Sequence, residues 1–205
     1  MSLVHNFKGR YLFPYILGVL VFVLMALGLF TSRLEAEKNE GAAKFNQKGE
    51  LVRPENYREW IFVGAPVTPN DMNNGKAPFP EFHSVYIDPV SYNEYKETGK
   101  FRDGTILVKE LVSIGGKHAA SGNGYFAGDY IGLEATVKDS KRFKNEPGAW
   151  AYFSFSQADH KLPYKGMASA FPKEACNACH QSDAAEDWVF TQYYPVLRDG
   201  KAESK

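Results

Sequence analysis

The segment Cys176-Asn177-Ala178-Cys179-His180 constrains this chain most, because two thiols three positions apart and followed directly by an imidazole are the pattern for covalent haem attachment. If the segment is helical, Cys176 and His180 lie on one face, so the imidazole can face iron while both sulfurs reach the porphyrin edge. A lone disulfide or half of a zinc site are the alternatives. With only two cysteines in the chain, no sulfur-rich site of four ligands can be built. The motif predicts haem c held by Cys176 and Cys179, with His180 as the iron ligand.

No methionine follows His180, since all four methionines lie upstream, at positions 1, 25, 72 and 167. An axial methionine would therefore have to come from upstream, and we expect an open or water-filled sixth position instead. Open iron binds small molecules, whereas plain electron transfer calls for two strong axial ligands. The sequence thus favours ligand chemistry over simple electron transfer.

Composition indicates one sizeable core and no polyanionic partner. The chain has 205 residues, of which 44% are apolar and 15% aromatic, which is enough for one compact domain. Lys plus Arg and Asp plus Glu are equal, at 24 each. No field of either sign favours nucleic acid, and none is expected as a partner.

Residues 11–30 contain no Asp, Glu, Lys, Arg or His. Such a run, at about 1.5 Å per helical residue, spans the ~30 Å hydrocarbon core of a bilayer. Lys8 and Arg10 precede it, so the positive-inside rule leaves a short cytoplasmic tail and exports the rest. A cleaved signal peptide is the alternative, although the segment ends in a poor cleavage site. We expect a protein of the inner (cytoplasmic) membrane with its haem domain on the periplasmic side.

The chain divides into four segments by composition. Residues 1–32 are the tail and anchor (or signal peptide), and the mixed polar residues 33–54 are a tether. Residues 55–200 are the haem-binding domain, and residues 201–205 are a tail.

Short apolar runs separated by turn signals predict an α+β fold: an antiparallel β-sheet with a few helices packing the haem. Strands are expected at 81–87, 105–114, 125–138 and 149–155. Asp88-Pro89 and Gly99 bound a helix, Gly115 to Gly124 form a flexible connection, and Asp187 to Tyr194 form a short helix stopped by Pro195. Gly128 and Gly132 suggest a bulge or the close approach of a flat ligand.

The strand at 105–114 is apolar on both faces, yet it carries Lys109 and Glu110 on opposite ones. One of the two must therefore project into covered space. A buried ammonium is costly unless it is paired, neutralised or used chemically, and burial would lower its pKa toward the neutral, nucleophilic amine. Lys109 is the candidate for such use.

Several motifs then occur in one order along the chain. They are Tyr57-Arg58-Glu59-Trp60, Val85-Tyr86-Ile87-Asp88-Pro89, Phe101-Arg102-Asp103-Gly104-Thr105, Val108-Lys109-Glu110-Leu111-Val112-Ser113, Gly122-Asn123-Gly124-Tyr125, Gly128-Asp129-Tyr130-Ile131-Gly132-Leu133-Glu134, the haem motif and Val189-Phe190-Thr191. Together they resemble the cytochrome P-460 family, over about Phe45 to Arg198. The resemblance implies an antiparallel sheet with helices, commonly a homodimer, and a five-coordinate haem with His180 as the proximal ligand. It also implies a covalent bond between Lys109 and the porphyrin.

The resemblance implies oxidation of hydroxylamine, with nitric oxide and nitrous oxide as products and a cytochrome as electron acceptor. The related cytochromes c prime-beta only bind gases, and similarity alone does not choose between the two functions. This chain has His83 where well-known members have a distal arginine; a surface histidine is the alternative reading. A base near the open iron site would help oxidation, and Asp129 and Glu134 are candidates, although either could simply pair with a cation.

Overall fold

The computed structural model of the protein describes Met25, Gly28 and residues 42–201. Residues 42–201 belong to a compact unit, Gly41–Lys205, whereas Met25 and Gly28, both helical, belong to a separate unit, Met1–Glu40. The predicted membrane segment at residues 11–30 thus lies outside the described residues, apart from these two. Within the described part of the chain, no helix combines the length and apolar character needed to cross a bilayer.

Five antiparallel strands form the main sheet, in the same order as they occur in the chain. A separate two-stranded sheet joins the first and last strands. The strands are β1 (Leu51–Val52), β2 (Ile61–Gly64), β3 (Phe82–Ile87), β4 (Ile106–Ala119), β5 (Gly122–Lys138), β6 (Trp150–Ser154) and β7 (Met167–Ala168). The predicted α+β class with an antiparallel sheet is confirmed.

Three α-helices accompany the sheets in the described chain: α1 (Pro89–Thr98), α2 (Lys173–Asp183) and α3 (Pro195–Gly200). The ends of α1 are as the sequence predicts. The Asp88 carboxylate accepts a hydrogen bond from the Ser91 N–H at 2.9 Å, Pro89 occupies the first turn, and Gly99 ends the helix with φ of 69°. Because Asp88 also accepts from the Ile106 N–H at 3.1 Å, this cap ties α1 to the start of β4.

The strand register assigns the side chains to two faces, since residues directly opposite one another share a face. We call one the Lys109 face, after the row Val85, Lys109, Glu134 and Ser154, and the other the Glu110 face, after the row Ser84, Glu110 and Leu133. Each face has its own apolar cluster. Val85, Ile87, Leu107, Trp150 and Tyr152 pack on the Lys109 face, and Ile106, Val108, Leu133, Ala135, Val137, Ala151 and Phe153 on the Glu110 face.

Different segments cover the two faces. Leu51 of β1 and Tyr57 cover the Glu110 face, while Tyr95 of α1 and Leu197 of α3 cover the Lys109 face. Leu51 and Leu197 are fully buried, and burying a side chain of this size stabilises a fold by about 1.5–3 kcal/mol. Both faces of the sheet are therefore covered, and the Lys109 face is the one that receives the chain from Cys176 to Leu197.

Two of the predicted elements are wrong. The expected flexible connection from Gly115 to Gly124 is instead paired strand, because β4 continues to Ala119 and β5 begins at Gly122. Gly115 and Gly128 allow this pairing: a Cβ on Gly115 would lie 2.8 Å from the Gly128 Cα. Gly128 thus serves strand-to-strand contact, and the register shift at Leu111/Val112 is the bulge that the glycines predicted.

The expected helix from Asp187 to Tyr194 is also replaced. A tight turn comes first, a 3-10 turn follows at Thr191–Tyr193, and Pro195 begins α3 rather than stopping a helix. The ring of proline fixes φ and removes a donor that the first turn of a helix does not need, so proline suits a helix start.

Part of the polar stretch at residues 33–54, which the sequence assigns to a tether, packs on the domain. Phe45 pairs with Leu51, and its ring packs edge-on against Phe143 and Phe153. The fold therefore begins at least as early as residue 42, because a few apolar side chains within a polar stretch are enough to dock it on the Glu110 face.

Candidate haem site

Helix α2 carries the haem motif and packs Cys176 and His180 against the Lys109 face. The motif is helical, as predicted, and places Cys176 and His180 one turn apart. Cys176 is half-buried against the apolar cluster of that face, and Cys179 is exposed. Both thiols are free rather than joined as a disulfide. Burial raises the pKa of the Cys176 thiol, with the charge of Glu134 adding to the rise and that of Lys109 opposing it.

The ring of His180 is held by one hydrogen bond and two aromatic neighbours. Its Nδ1 lies 2.8 Å from the carbonyl oxygen of Trp188. A carbonyl only accepts, so Nδ1 carries the proton and Nε2 keeps its lone pair. The ring centroid lies 4.5 Å from that of Tyr152 and 4.7 Å from that of Phe190. Burial lowers the pKa of His180, partly offset by the bond to Trp188, and so favours the neutral ring that binds a metal.

These features fit a haem. Two free thiols and an imidazole with a free Nε2 lie on one helix, and the other ring nitrogen donates to a backbone carbonyl, as is usual for histidines that ligate metals. Cys176 and Cys179 would hold the porphyrin edge, and His180 would ligate the iron. The donor set that the sequence predicts is therefore assembled by the fold.

Lys109 and Glu134 form a cross-strand ion pair on the same face. Their register positions are directly opposite, and Lys109 Nζ lies 2.7 Å from Glu134 Oε2. Both side chains are about one-third exposed, and the ammonium also lies 5.6 Å from the centre of the Phe79 ring. The pair lies on the face against which Cys176 and His180 pack, and its charges affect the pKa of both.

The charge that β4 buries is Glu110, not Lys109, which corrects the argument from burial. Glu110 is only 2% exposed and accepts a hydrogen bond from the Tyr57 hydroxyl at 2.5 Å. Arg58 completes the cluster through an ion pair with Glu110, and its guanidinium stacks over Tyr130 with 4.7 Å to the ring centroid. Burial is the main cause that raises the pKa of Tyr57, and the hydrogen bond to Glu110 raises it further. Tyr57 and Arg58 therefore pair the buried Glu110 carboxylate on the Glu110 face. The Lys109 face, on the opposite side of the sheet, does not have to accommodate this charge.

His83 lies on the Lys109 face, in the row next to Lys109. Its side chain is 17% exposed, and its Nε2 lies 3.5 Å from Glu81 Oε1 with no hydrogen bond in the described structure. Its ring meets that of Phe79 edge-on at 6.2 Å. Burial alone would raise the pKa of Glu81, but His83, the Glu81 backbone and the charge of Lys109 together lower it. His83 is thus a covered group with an unsatisfied nitrogen rather than a freely exposed histidine.

Asp129 does not join the other candidates. It is exposed in the outer part of β5, and its backbone N–H donates to the Ser113 hydroxyl at 2.9 Å. Within the described chain its carboxylate forms no hydrogen bond or ion pair with Lys109, Glu134 or His180. Of the two acidic candidates, only Glu134 is brought to the site.

Sequence reasoning missed three residues of the site. Tyr152 packs on His180 and has a buried hydroxyl without a hydrogen-bond partner in the described structure. The Trp188 carbonyl sets the tautomer of His180, and Glu81 lies next to His83. Glu81 could have been found from its period-2 spacing before His83, whereas a backbone carbonyl leaves no signal in the sequence.

An antiparallel sheet packs a Cys-Xaa-Xaa-Cys-His helix on one face. This motif is typical of cytochromes that bind haem covalently, and it indicates that class for this protein. The comparison with known families narrows the class. The model of the Cytochrome P460 family matches residues 54–191, which is more than half of the chain, and the protein belongs to that family. This confirms the resemblance seen in the sequence. A comparison with curated proteins gives no significant match.

Proposed function

We propose that this protein is a membrane-anchored mono-haem c-type cytochrome that oxidises hydroxylamine to nitrous oxide or nitric oxide. The family is associated with oxidoreductase activity, and the assembled motif supports haem c bound through Cys176 and Cys179 with His180 as the axial ligand. When bound, the haem supplies a redox-active iron with an open position for a small nitrogen compound.

The pairing of Lys109 with Glu134 is the observation that carries this proposal. The bond to the porphyrin replaces one N–H of Lys109, so the nitrogen must release a proton as the bond forms. Glu134 Oε2, at 2.7 Å from Nζ, is positioned to accept that proton. The pair therefore gives Lys109 a proton acceptor for the covalent bond to the porphyrin that is typical of the family.

Hydroxylamine oxidation releases protons that the protein must accept. Two hydroxylamine molecules give nitrous oxide, water, four protons and four electrons, and the electrons leave to an acceptor cytochrome. Once Lys109 is bonded to the porphyrin and no longer pairs with Glu134, the Glu134 carboxylate would be available to take a proton at Oε2. His83 is a second group on the same face, and its unsatisfied Nε2 can bond to a substrate nitrogen or oxygen.

Two measurements test the assignment. Haem should remain with the polypeptide after denaturation and acid-acetone extraction, and it should be lost when Cys176 and Cys179 are both changed to Ala. Purified ferric protein should then reduce an added electron acceptor when hydroxylamine is supplied. Covalently bound haem without steady turnover would contradict the proposed hydroxylamine oxidation, whereas the assignment as a c-type cytochrome would stand.

The second candidate is a gas-binding cytochrome of the c prime-beta type, without turnover. The same ion pair favours it in one respect: Lys109 and Glu134 satisfy each other as they stand, so the lysine has a complete structural role without any bond to haem. A nitric oxide complex that forms readily, together with a Lys109 peptide recovered free of haem, would favour this function.

The location and partners are part of the same proposal. The apolar segment at residues 11–30 supports an anchor in the inner membrane with the haem domain in the periplasm, where haem c is attached. A homodimer and an acceptor cytochrome are the proposed protein partners. Fractionation with membranes, and loss of that behaviour in a chain that begins at Glu35, would support the anchor.

A further inference from the structure

A tight turn precedes the last helix of the fold, and its backbone is strained. Its two central residues both have positive φ, 42° at Asp187 and 59° at Trp188. The Val189 N–H donates to the Glu186 carbonyl at 2.7 Å, and the Glu186 N–H donates back at 3.4 Å. Positive φ at both central positions is typical of a type I′ turn, which favours Asn and Gly. A tryptophan in this conformation is an outlier, and such strain persists only where the surroundings impose it.

The side chain of Asp187 is fastened to the sheet by two partners. Lys138 Nζ lies 2.6 and 2.9 Å from its two carboxylate oxygens, and the Trp150 Nε1–H donates to Oδ1 at 3.2 Å. Lys138 and Trp150 are directly opposite one another on β5 and β6, and Trp150 is fully buried. The first strained residue is therefore held by a rigid part of the fold.

Trp188 is held at its own two ends. Its indole lies on Gly148, where a Cβ would come within 2.4 Å of the ring. Its carbonyl accepts the hydrogen bond from His180 Nδ1 at 2.8 Å. The residue that carries the strain is thus the one that sets the tautomer and orientation of the imidazole.

We propose that Asp187 is a positioning residue for His180: fastened by Lys138 and Trp150, it holds the strained turn in which the Trp188 carbonyl accepts from Nδ1 and leaves Nε2 for the haem iron. The inference rests on the proposed function, since it requires an iron ligand at His180. A hydrogen bond from Nδ1 makes the imidazole a stronger ligand and stabilises the ferric state. Asp187 would therefore tune the iron without touching it.

The test compares three substitutions at Asp187 in the haem-loaded protein. Asp187→Ala removes both contacts and disfavours positive φ, Asp187→Gly removes the contacts but suits the turn, and Asp187→Asn keeps an acceptor for Trp150 and loses only the ion pair. Lys138→Met removes the same ion pair from the other side. Asp71→Asn is the matched control, because it breaks the Asp71–Lys117 ion pair of the exposed hairpin.

Three readouts separate positioning from folding: haem retained after denaturation, the iron–imidazole stretching frequency of the ferrous protein, and the reduction potential. We expect unchanged haem content in every variant. The frequency should fall and the potential should rise most in Asp187→Ala, clearly in Asp187→Gly, and least in Asp187→Asn and Lys138→Met. Asp71→Asn should match the unmodified protein.

Two results would overturn the inference, and they differ. Haem-bearing Asp187→Ala and Asp187→Gly with the frequency and potential of the unmodified protein would show that the tether does not position His180, and the proposed function would stand. Unmodified protein that carries no haem after denaturation would refute the attachment itself, and the positioning role with it.

Discussion

Lys109 Nζ lies 2.7 Å from Glu134 Oε2, directly across β4 and β5, on the sheet face that also receives His180. The Lys109 face thus carries an amine, a carboxylate and the His180 imidazole. It also means that Lys109 has two possible partners, Glu134 as an ion pair and the porphyrin as a covalent bond.

Lys109→Leu should leave the thioether-bound haem in place but give an ordinary cytochrome spectrum and no hydroxylamine oxidation. In the unmodified protein the proposed bond would replace one N–H and one ring C–H, and an oxidant such as peroxide would accept the two electrons and two protons. Proteolysis and mass spectrometry should find the Lys109 peptide joined through haem to the peptide with Cys176 and Cys179. Lys117→Leu, on the same hairpin but exposed, should behave like the unmodified protein. A haem-free Lys109 peptide from matured protein would remove the bond.

Glu134→Gln should slow hydroxylamine oxidation by about 100-fold, because general-base groups contribute about 10²–10⁴-fold and glutamine cannot take a proton. It should also slow formation of the lysine bond, which can be followed by mass spectrometry during peroxide treatment. Asp129→Asn is the matched control, since that carboxylate is exposed and forms no ion pair with Lys109 in the described structure. Equal rates in both variants would contradict the role of Glu134.

Much of the fold was predictable because its signals are local. The cap at Asp88, the proline that follows it and the glycine at 99 determine α1, and strand periodicity locates the core of β4. The length of the β4–β5 hairpin was not predictable from the sequence. Gly115 by itself indicates a flexible backbone, and only the fold places it against Gly128, where a Cβ would not fit. A single glycine indicates only backbone freedom, whereas two glycines opposite one another allow two strands to approach closely.

The site was predictable where covalent chemistry dictates spacing, and less so where packing decides. Cys176, Cys179 and His180 follow from the motif. The choice between Lys109 and Glu110 as the covered charge depended on what packs on each face, and Tyr57 and Arg58 come from a segment some fifty positions away. Such long-range pairing has no signature in either local sequence.

Stability should depend on Asp103 at low pH. The Ser140 hydroxyl and N–H both donate to its carboxylate, the latter at 2.9 Å, and the bond from the hydroxyl is the main cause that lowers the pKa of Asp103. A lowered pKa in the folded state means that the contribution is present above the unfolded value, about 4, and is lost as pH falls through the folded value. Asp103→Asn should therefore lower the melting temperature slightly at pH 7, and the difference should shrink below about pH 4. A constant difference across that range would contradict the linkage.

Glu110→Ala should destabilise the fold by about 1–3 kcal/mol, because it leaves the buried Tyr57 hydroxyl unsatisfied. Glu110→Gln keeps an acceptor and should cost less. The free energy of unfolding is measured by chemical denaturation, and its dependence on denaturant concentration should be unchanged. Glu97→Ala, on the exposed side of α1, is the control. Equal stability of the Ala and Gln variants would show that the hydrogen bond contributes little.

His83 offers a separable test of proton transfer and hydrogen bonding at the site. Its ring is covered, its Nε2 has no hydrogen bond in the described structure, and it shares a face with Lys109 and Glu134. If Nε2 only bonds to the bound nitrogen compound, His83→Gln should keep much of the hydroxylamine affinity and rate, whereas His83→Leu should lose both. If the ring also moves a proton, His83→Gln should bind hydroxylamine normally but oxidise it more slowly, since an amide does not titrate. Haem content should be unchanged in both, and His118→Ala, at the exposed hairpin tip, should have no effect. Binding and turnover equal to the unmodified protein in His83→Leu would show that this histidine serves packing alone.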